Sequence, residues 1–95
     1  MPPTAATATD LDLVMMRLAL VAARQAAAAG EVPVGCVIYD PARPADPPLA
    51  TAYNLRELNA DPTAHAEVLA LREAARLRGS WRLDGLSLAV TLEPC

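Results

Sequence analysis

His65 is the single histidine of this 95-residue chain, Glu67 follows it two positions later, and the chain closes on Pro94-Cys95. An imidazole nitrogen, cysteine thiolates and one open position are the donor set of a catalytic zinc, and an acidic residue beside them can move protons without binding the metal. Each residue alone has a plainer reading. A lone histidine is more often structural than a ligand, a helix glutamate is usually solvated, and Cys95 could be an inert thiol. Cys36, inside an apolar run, reads as a small hydrophobe. The arrangement favours the chemical reading. His65-Ala66-Glu67 opens one helix and Pro94-Cys95 opens what should be the next, each after a strand–loop segment, so both N-termini can point at one spot. Such termini are electropositive and favour a thiolate over a thiol. Positions i and i+2 on a helix lie about 200° apart. The two side chains can therefore meet only because both sit in the first turn and lean toward the N-terminus.

The elements that must position these groups follow in the order α-β-β-α-β. Residues 1–9 read as a disordered leader of Pro, Thr and Ala, and residues 10–95 as part of one domain. Asp10 looks like the N-cap of a first helix over 11–29, with Leu11, Val14, Leu18 and Val21 as its apolar stripe and Gly30 as its terminator. Residues 34–39 form a strand buried on both faces, or one approached closely by a ligand at Gly35. Residues 40–48 carry four prolines and two aspartates and must be a loop. A second strand over 49–53 returns antiparallel, near an edge. Asp61 or Thr63 caps a helix over 64–77, with Pro62 in its first turn, Val68, Leu69, Leu71, Ala75 and Leu77 available for burial, and Gly79 at its end. Residues 86–92 are a third strand. Its helical crossover suggests a parallel pairing with the first strand and hence a mixed sheet.

Composition narrows the class. Apolar residues make up 54% of the chain, too many for disorder, and with aromatics at 3% the core must be filled by Leu, Val and Ala. The net charge of −3 argues against non-specific nucleic-acid binding. All basic residues are arginine, and Arg56, Arg72, Arg76, Arg78 and Arg82 gather around the second helix, more as a solvated face than as phosphate contacts. Two cysteines are no disulfide scaffold. With neither a secretory leader nor a long apolar run, the expected location is cytoplasmic, without a membrane.

His-x-Glu followed by Pro-Cys resembles the signature of the zinc-dependent nucleobase deaminases. Glu31-Val32-Pro33-Val34-Gly35, Asn54, Asp61-Pro62-Thr63-Ala64-His65-Ala66-Glu67 and Thr91-Leu92-Glu93-Pro94-Cys95 are similar to the bacterial tRNA-specific adenosine deaminases among them. The resemblance implies a cytidine deaminase-like three-layer α/β sandwich, of which this chain is the N-terminal part. It implies Zn²⁺ held by His65 and Cys95, with the family's second cysteine beyond the chain end. Glu67 would be the proton carrier, and Asn54 and Val34 would receive a flipped-out adenine from a tRNA anticodon loop. The full-length form would be a homodimer. Two protein ligands fall short of a catalytic zinc's usual three, so the 95-residue chain alone is expected to be inactive. Two alternatives stay open: a free-base or riboflavin-pathway deaminase of the same fold, and a truncated product without catalysis.

Overall fold

Thr9 starts the first helix. Its hydroxyl accepts the N–H of Asp12 at 3.1 Å while the Asp12 carboxylate accepts the Thr9 N–H at 3.1 Å, a reciprocal capping box. The cap is therefore Thr9 and not Asp10, because only Thr9 stands three positions before a carboxylate able to return the bond. A computed structural model describes residues 9–91, in the order α1 (Asp10–Ala28), β1 (Gly35–Tyr39), β2 (Ala50–Tyr53), α2 (Ala66–Arg78) and β3 (Ser87–Val90). The expected leader, apart from Thr9, lies outside the described residues, as do Pro94 and Cys95. Gly30, at φ +85°, ends α1. Its N–H donates to Ala27 O at 3.1 Å and that of Glu31 donates to Ala26 O at 2.9 Å, a left-handed closure that glycine makes cheaply.

The sheet has the order β2-β1-β3, and β1 is antiparallel to both neighbours. Gly35 pairs with Tyr53 and Ile38 with Ala50 on one side; Cys36 pairs with Val90 and Tyr39 with Ser87 on the other. The expected parallel pairing of the first and third strands, and with it the mixed sheet, is corrected. The crossover through α2 joins β2 to β3, so the same-direction rule applies to those two. They run alike, with β1 inserted between them. The edge position and antiparallel sense of β2 agree with the sequence reading.

All five residues of β1 are buried, and their alternation divides the core. Cys36 and Ile38 join Val34, Ala50, Ala66, Ala70 and Ala74 in a cluster against α2. Val37 and Tyr39 join Met15, Ala19 and Ala89 against α1. A helix thus covers each face of the sheet. The helices meet it with alanine: Ala19, Ala22, Ala23 and Ala26 are buried on α1. On α2, Val68, Leu69 and Ala75 are half-buried and Leu71 and Leu77 exposed. Of the expected α1 stripe, Leu11 is half-buried and packs against the second cluster, whereas Val14, Leu18 and Val21 are exposed. The reason is distance. Gly35 lies so close under α1 that a methyl group is the largest side chain the contact admits. No helix among the described residues is long and apolar enough to cross a membrane.

Tyr39 ties the end of β1 to the start of α1, its hydroxyl donating to Asp12 Oδ1 at 2.6 Å. Burial first, and the adjacent Asp12 carboxylate next, push the tyrosine up to about 12. The same bond, helped by Thr9, holds the Asp12 carboxyl below the usual carboxylate range. A raised tyrosine stabilises the fold fully below its ordinary value near 10 and loses that contribution as the pH climbs to about 12. The Asp12 contribution is present above its ordinary value and lost as the pH falls through the lowered one. The melting temperature is therefore expected to fall between pH 10 and 12, and Tyr39→Phe to flatten that fall. An unchanged alkaline limb in the variant would contradict the assignment.

Candidate functional site

The expected helix start at residue 64 is two residues early. Asp61-Pro62-Thr63 forms a separate turn in which Asp61 Oδ1 accepts the N–H of Thr63 at 2.9 Å and its hydroxyl at 2.7 Å. These two bonds, the hydroxyl one first, hold the Asp61 carboxyl below its ordinary range. An aspartate folding back on the chain in this way serves a turn as well as a cap. The N-cap of α2 is His65 itself, in extended backbone at φ −74° and ψ 146°, and its side chain makes no capping bond. The imidazole is thus left available at an electropositive helix end, with Glu67 in the first turn.

His65 Nδ1 stands 3.7 Å from Glu67 Oε1, and both side chains are roughly half-open, at 38% and 40% exposure. The expected meeting occurs, but by another route: His65 is the extended cap residue before the helix, and only Glu67 lies in the first turn. The gap is too long for a direct hydrogen bond and close enough for both groups to act on one small molecule. Asn54, just past β2, is buried at 2% exposure, and its backbone N–H donates to Val34 O at 3.1 Å. The N–H of Leu55 donates to Ala64 O at 2.9 Å, so Asn54 and His65 each adjoin a residue of that bonded pair. Val34 shares its buried cluster with Ala66, the residue between His65 and Glu67. The structure therefore brings four of the five expected site residues to one end of the sheet. The fifth, Cys95, lies outside the described residues.

Cys36 stays in the apolar role read from sequence. It is fully buried, and burial, aided by the charge of Glu67, pushes its thiol up to about 12. Among the described residues no group of three or more His, Cys, Asp or Glu side chains gathers as a metal centre. What those residues offer is one imidazole with a carboxyl neighbour. Two residues that the sequence motifs contain without assigning them a role shape this end of the sheet. Thr91 clasps Gly35 twice, its hydroxyl accepting the Gly35 N–H and its N–H donating to Gly35 O, both at 3.0 Å. Glu31 is a buried carboxylate that accepts backbone N–H groups of the loop after Asn54. Neither contact has a local sequence signal, since each joins distant stretches. Three of the arginines around α2 have short-range partners. Arg76 grips Glu73 at 2.6 and 2.9 Å, Arg78 donates to Asp84 O, and Arg82 lies 5.3 Å from the Trp81 ring centroid.

Residues 9–95 match the family model described as the cytidine and deoxycytidylate deaminase zinc-binding region. The chain belongs to that family. The tRNA-specific adenosine deaminase of Haemophilus influenzae is 46% identical over 87 residues, 92% of this chain and 49% of that protein. Its namesake from Bacillus subtilis is 43% identical over 84 residues, 88% of this chain and 50% of that protein. Among solved structures, one from a study of A-to-I editing by tRNA:A34 deaminases superposes with a TM-score of 0.76 at 41% identity, covering 87% of this chain and 57% of the other. Guanine deaminase from Bacillus subtilis superposes at 0.74 with 33% identity, covering 87% and 51%. The chain thus has the cytidine deaminase-like fold and spans about half the length of the curated relatives it matches.

Proposed function

We propose that this chain carries part of the active site of a zinc-dependent deaminase that converts adenosine to inosine in a tRNA anticodon loop. The observation that carries the reading is the His65–Glu67 pair at the N-terminus of α2, beside the buried Asn54. His65 would hold the metal through a ring nitrogen, and Cys95 through its sulfur. Cys95 follows Thr91 by four residues, a span of at most ~14 Å, and Thr91 is bonded to Gly35 at this same end of the sheet. When bound, zinc supplies a water acidified toward neutral pH.

Glu67 performs the proton transfer. Its carboxylate accepts a proton from the attacking water and delivers it to N1 of the adenine, which makes C6 electrophilic. The oxygen adds at C6; Glu67 then takes the proton of the new C6 hydroxyl and passes it to the amino group, the C6–N bond breaks, and ammonia leaves a C6 carbonyl with the first proton on N1. Asn54 orients the base through its amide, and Val34 supplies an apolar wall. An anticodon nucleotide suits such a site because unstacking a loop base costs only a few kcal/mol. Identity with the tRNA-specific adenosine deaminases favours the RNA substrate, and the guanine deaminase likeness leaves a free purine as the competing one.

The test uses the full-length protein encoded with this segment. It is expected to form inosine in an anticodon stem-loop bearing a wobble adenosine and to leave free guanine untouched. A zinc chelator should remove the activity by at least about a hundredfold, and added Zn²⁺ should restore it. Turnover of guanine alone would move the protein to the free-base branch. Activity that survives complete metal removal would overturn the zinc reading.

A further inference from the structure

Glu31 is only 5% exposed, as deeply placed as much of the apolar core, although it is a carboxylate. Its backbone is fixed at the closure of α1 through the bond to Ala26 O. Its Oε1 accepts the N–H of Glu57 at 3.1 Å, and its Oε2 accepts that of Leu58. Those amides belong to a single helical turn in which the Asn59 N–H donates to Leu55 O at 2.9 Å, so they are leading groups without a partner inside the turn. The turn closes through Asp61 N–H on Arg56 O at 3.1 Å and Ala60 N–H on Glu57 O at 3.2 Å. Ala60 there adopts φ +49°, a conformation an alanine resists. The segment starts beside Asn54, which is tied to Val34, with Leu55 bonded to Ala64, the neighbour of His65; its far end, Asp61, returns to the same place by accepting the Ala64 N–H at 3.1 Å.

We propose that Glu31 is a positioning residue: its carboxylate clamps the 55–61 turn and thereby sets where Asn54 and His65 stand. The functional roles of those two rest on the deaminase reading above. The two bonds to the Glu31 side chain hold the turn from outside, adding to its own backbone bonds against the cost of the left-handed Ala60. Without the carboxylate, two backbone amides lose their acceptor, and the distance between the base-binding and metal-binding ends is no longer fixed.

The test compares full-length wild type with Glu31→Gln, which keeps the size but turns an amide NH₂ toward one donor, and with Glu31→Asp. Amide hydrogen exchange, zinc release to a chromogenic chelator, and kcat and KM on the stem-loop are the readouts. Glu31→Gln is expected to speed exchange at Glu57 and Leu58 about tenfold or more, with β1 protected as in wild type. It should speed zinc release and lower kcat/KM, each by roughly 10- to 100-fold. The proposal is overturned if the turn amides exchange as before, or if they loosen while zinc release and kcat/KM stay unchanged. Loss of protection throughout the molecule in both variants also overturns it, by making Glu31 a general stabiliser. Should wild type deaminate no adenosine, the proposed function fails, and exchange together with zinc release still decides the clamp.

Discussion

Gly35→Ala is expected to remove the cooperative fold. A Cβ at this position would stand 2.0 Å from Ala19 O, 2.6 Å from Ala23 N and 2.9 Å from Ala22 Cβ. Two of these obstacles are helix backbone, which no rotamer change can move. Ordinary carbon contacts begin near ~3.5 Å, so α1 would have to lift by more than about 1 Å. That lift would open the contacts of Ala19, Ala22, Ala23 and Ala26 with the sheet together. Overpacking usually costs about 1–3 kcal/mol where side chains can yield; here they cannot, and more than ~3 kcal/mol is expected. A domain this small has on the order of 5–15 kcal/mol in total. The melting temperature should drop by at least about 12 °C, or the transition should vanish in circular dichroism. Trimming the one side-chain obstacle, in Ala22→Gly/Gly35→Ala, should not restore it. A single variant that melts within a few degrees of the parent would refute the close approach.

Glu67→Gln, made in the full-length protein, should lower kcat by about 10³-fold while the zinc content stays at the wild-type level. General acid–base transfer contributes roughly 10²–10⁴-fold, and an amide of the same shape cannot carry the proton. Its loss from the first turn of α2 should weaken the fold by only about 0.3–1 kcal/mol, so the melting temperature separates the catalytic effect from unfolding. Single-turnover kinetics on the stem-loop and metal analysis by mass spectrometry make the comparison. A variant within tenfold of wild type would remove Glu67 from the proton path.

The legible parts of the fold were those governed by neighbours in the chain. Gly30 and Gly79 end their helices in left-handed backbone, as expected of glycine after an apolar-periodic run. The apolar stretch at 34–39 read as a strand covered on both faces, and β1, one residue shorter, is buried throughout. Errors arose where tertiary distance decides. Leucine and valine outweigh alanine in any periodicity reading, but Gly35 draws α1 so near that alanine occupies the contact and Leu18 and Val21 face outward. Asp61 offered the local chemistry of a cap and used it on a turn. The strand pairing failed because a crossover helix reports the relation of the strands it joins, here β2 and β3, and says nothing about a strand placed between them.

The candidate site divides the same way. His65 and Glu67 were visible by type and spacing, and the sequence could permit their meeting without requiring it. The 3.7 Å approach depends on His65 being the cap residue, outside the helix proper. Glu31 was quoted only as part of a resemblance. Its bonds to Glu57 and Leu58 span a long stretch of chain, and no window of neighbouring residues contains both partners.

The placement of β1 between β2 and β3 also sets an order of events. The β1–β2 hairpin closes over a short loop, whereas the β1–β3 contact must wait until about 50 residues have been fixed. That is two doublings of loop length, on the order of 1.2 kcal/mol more closure entropy. On a ribosome the hairpin and α1 can assemble while α2 is still being made, leaving one flank of the innermost strand without its hydrogen-bonding partner. That flank stays an open sheet edge until Leu88 and Ala89 arrive and pair with Ile38 and Val37.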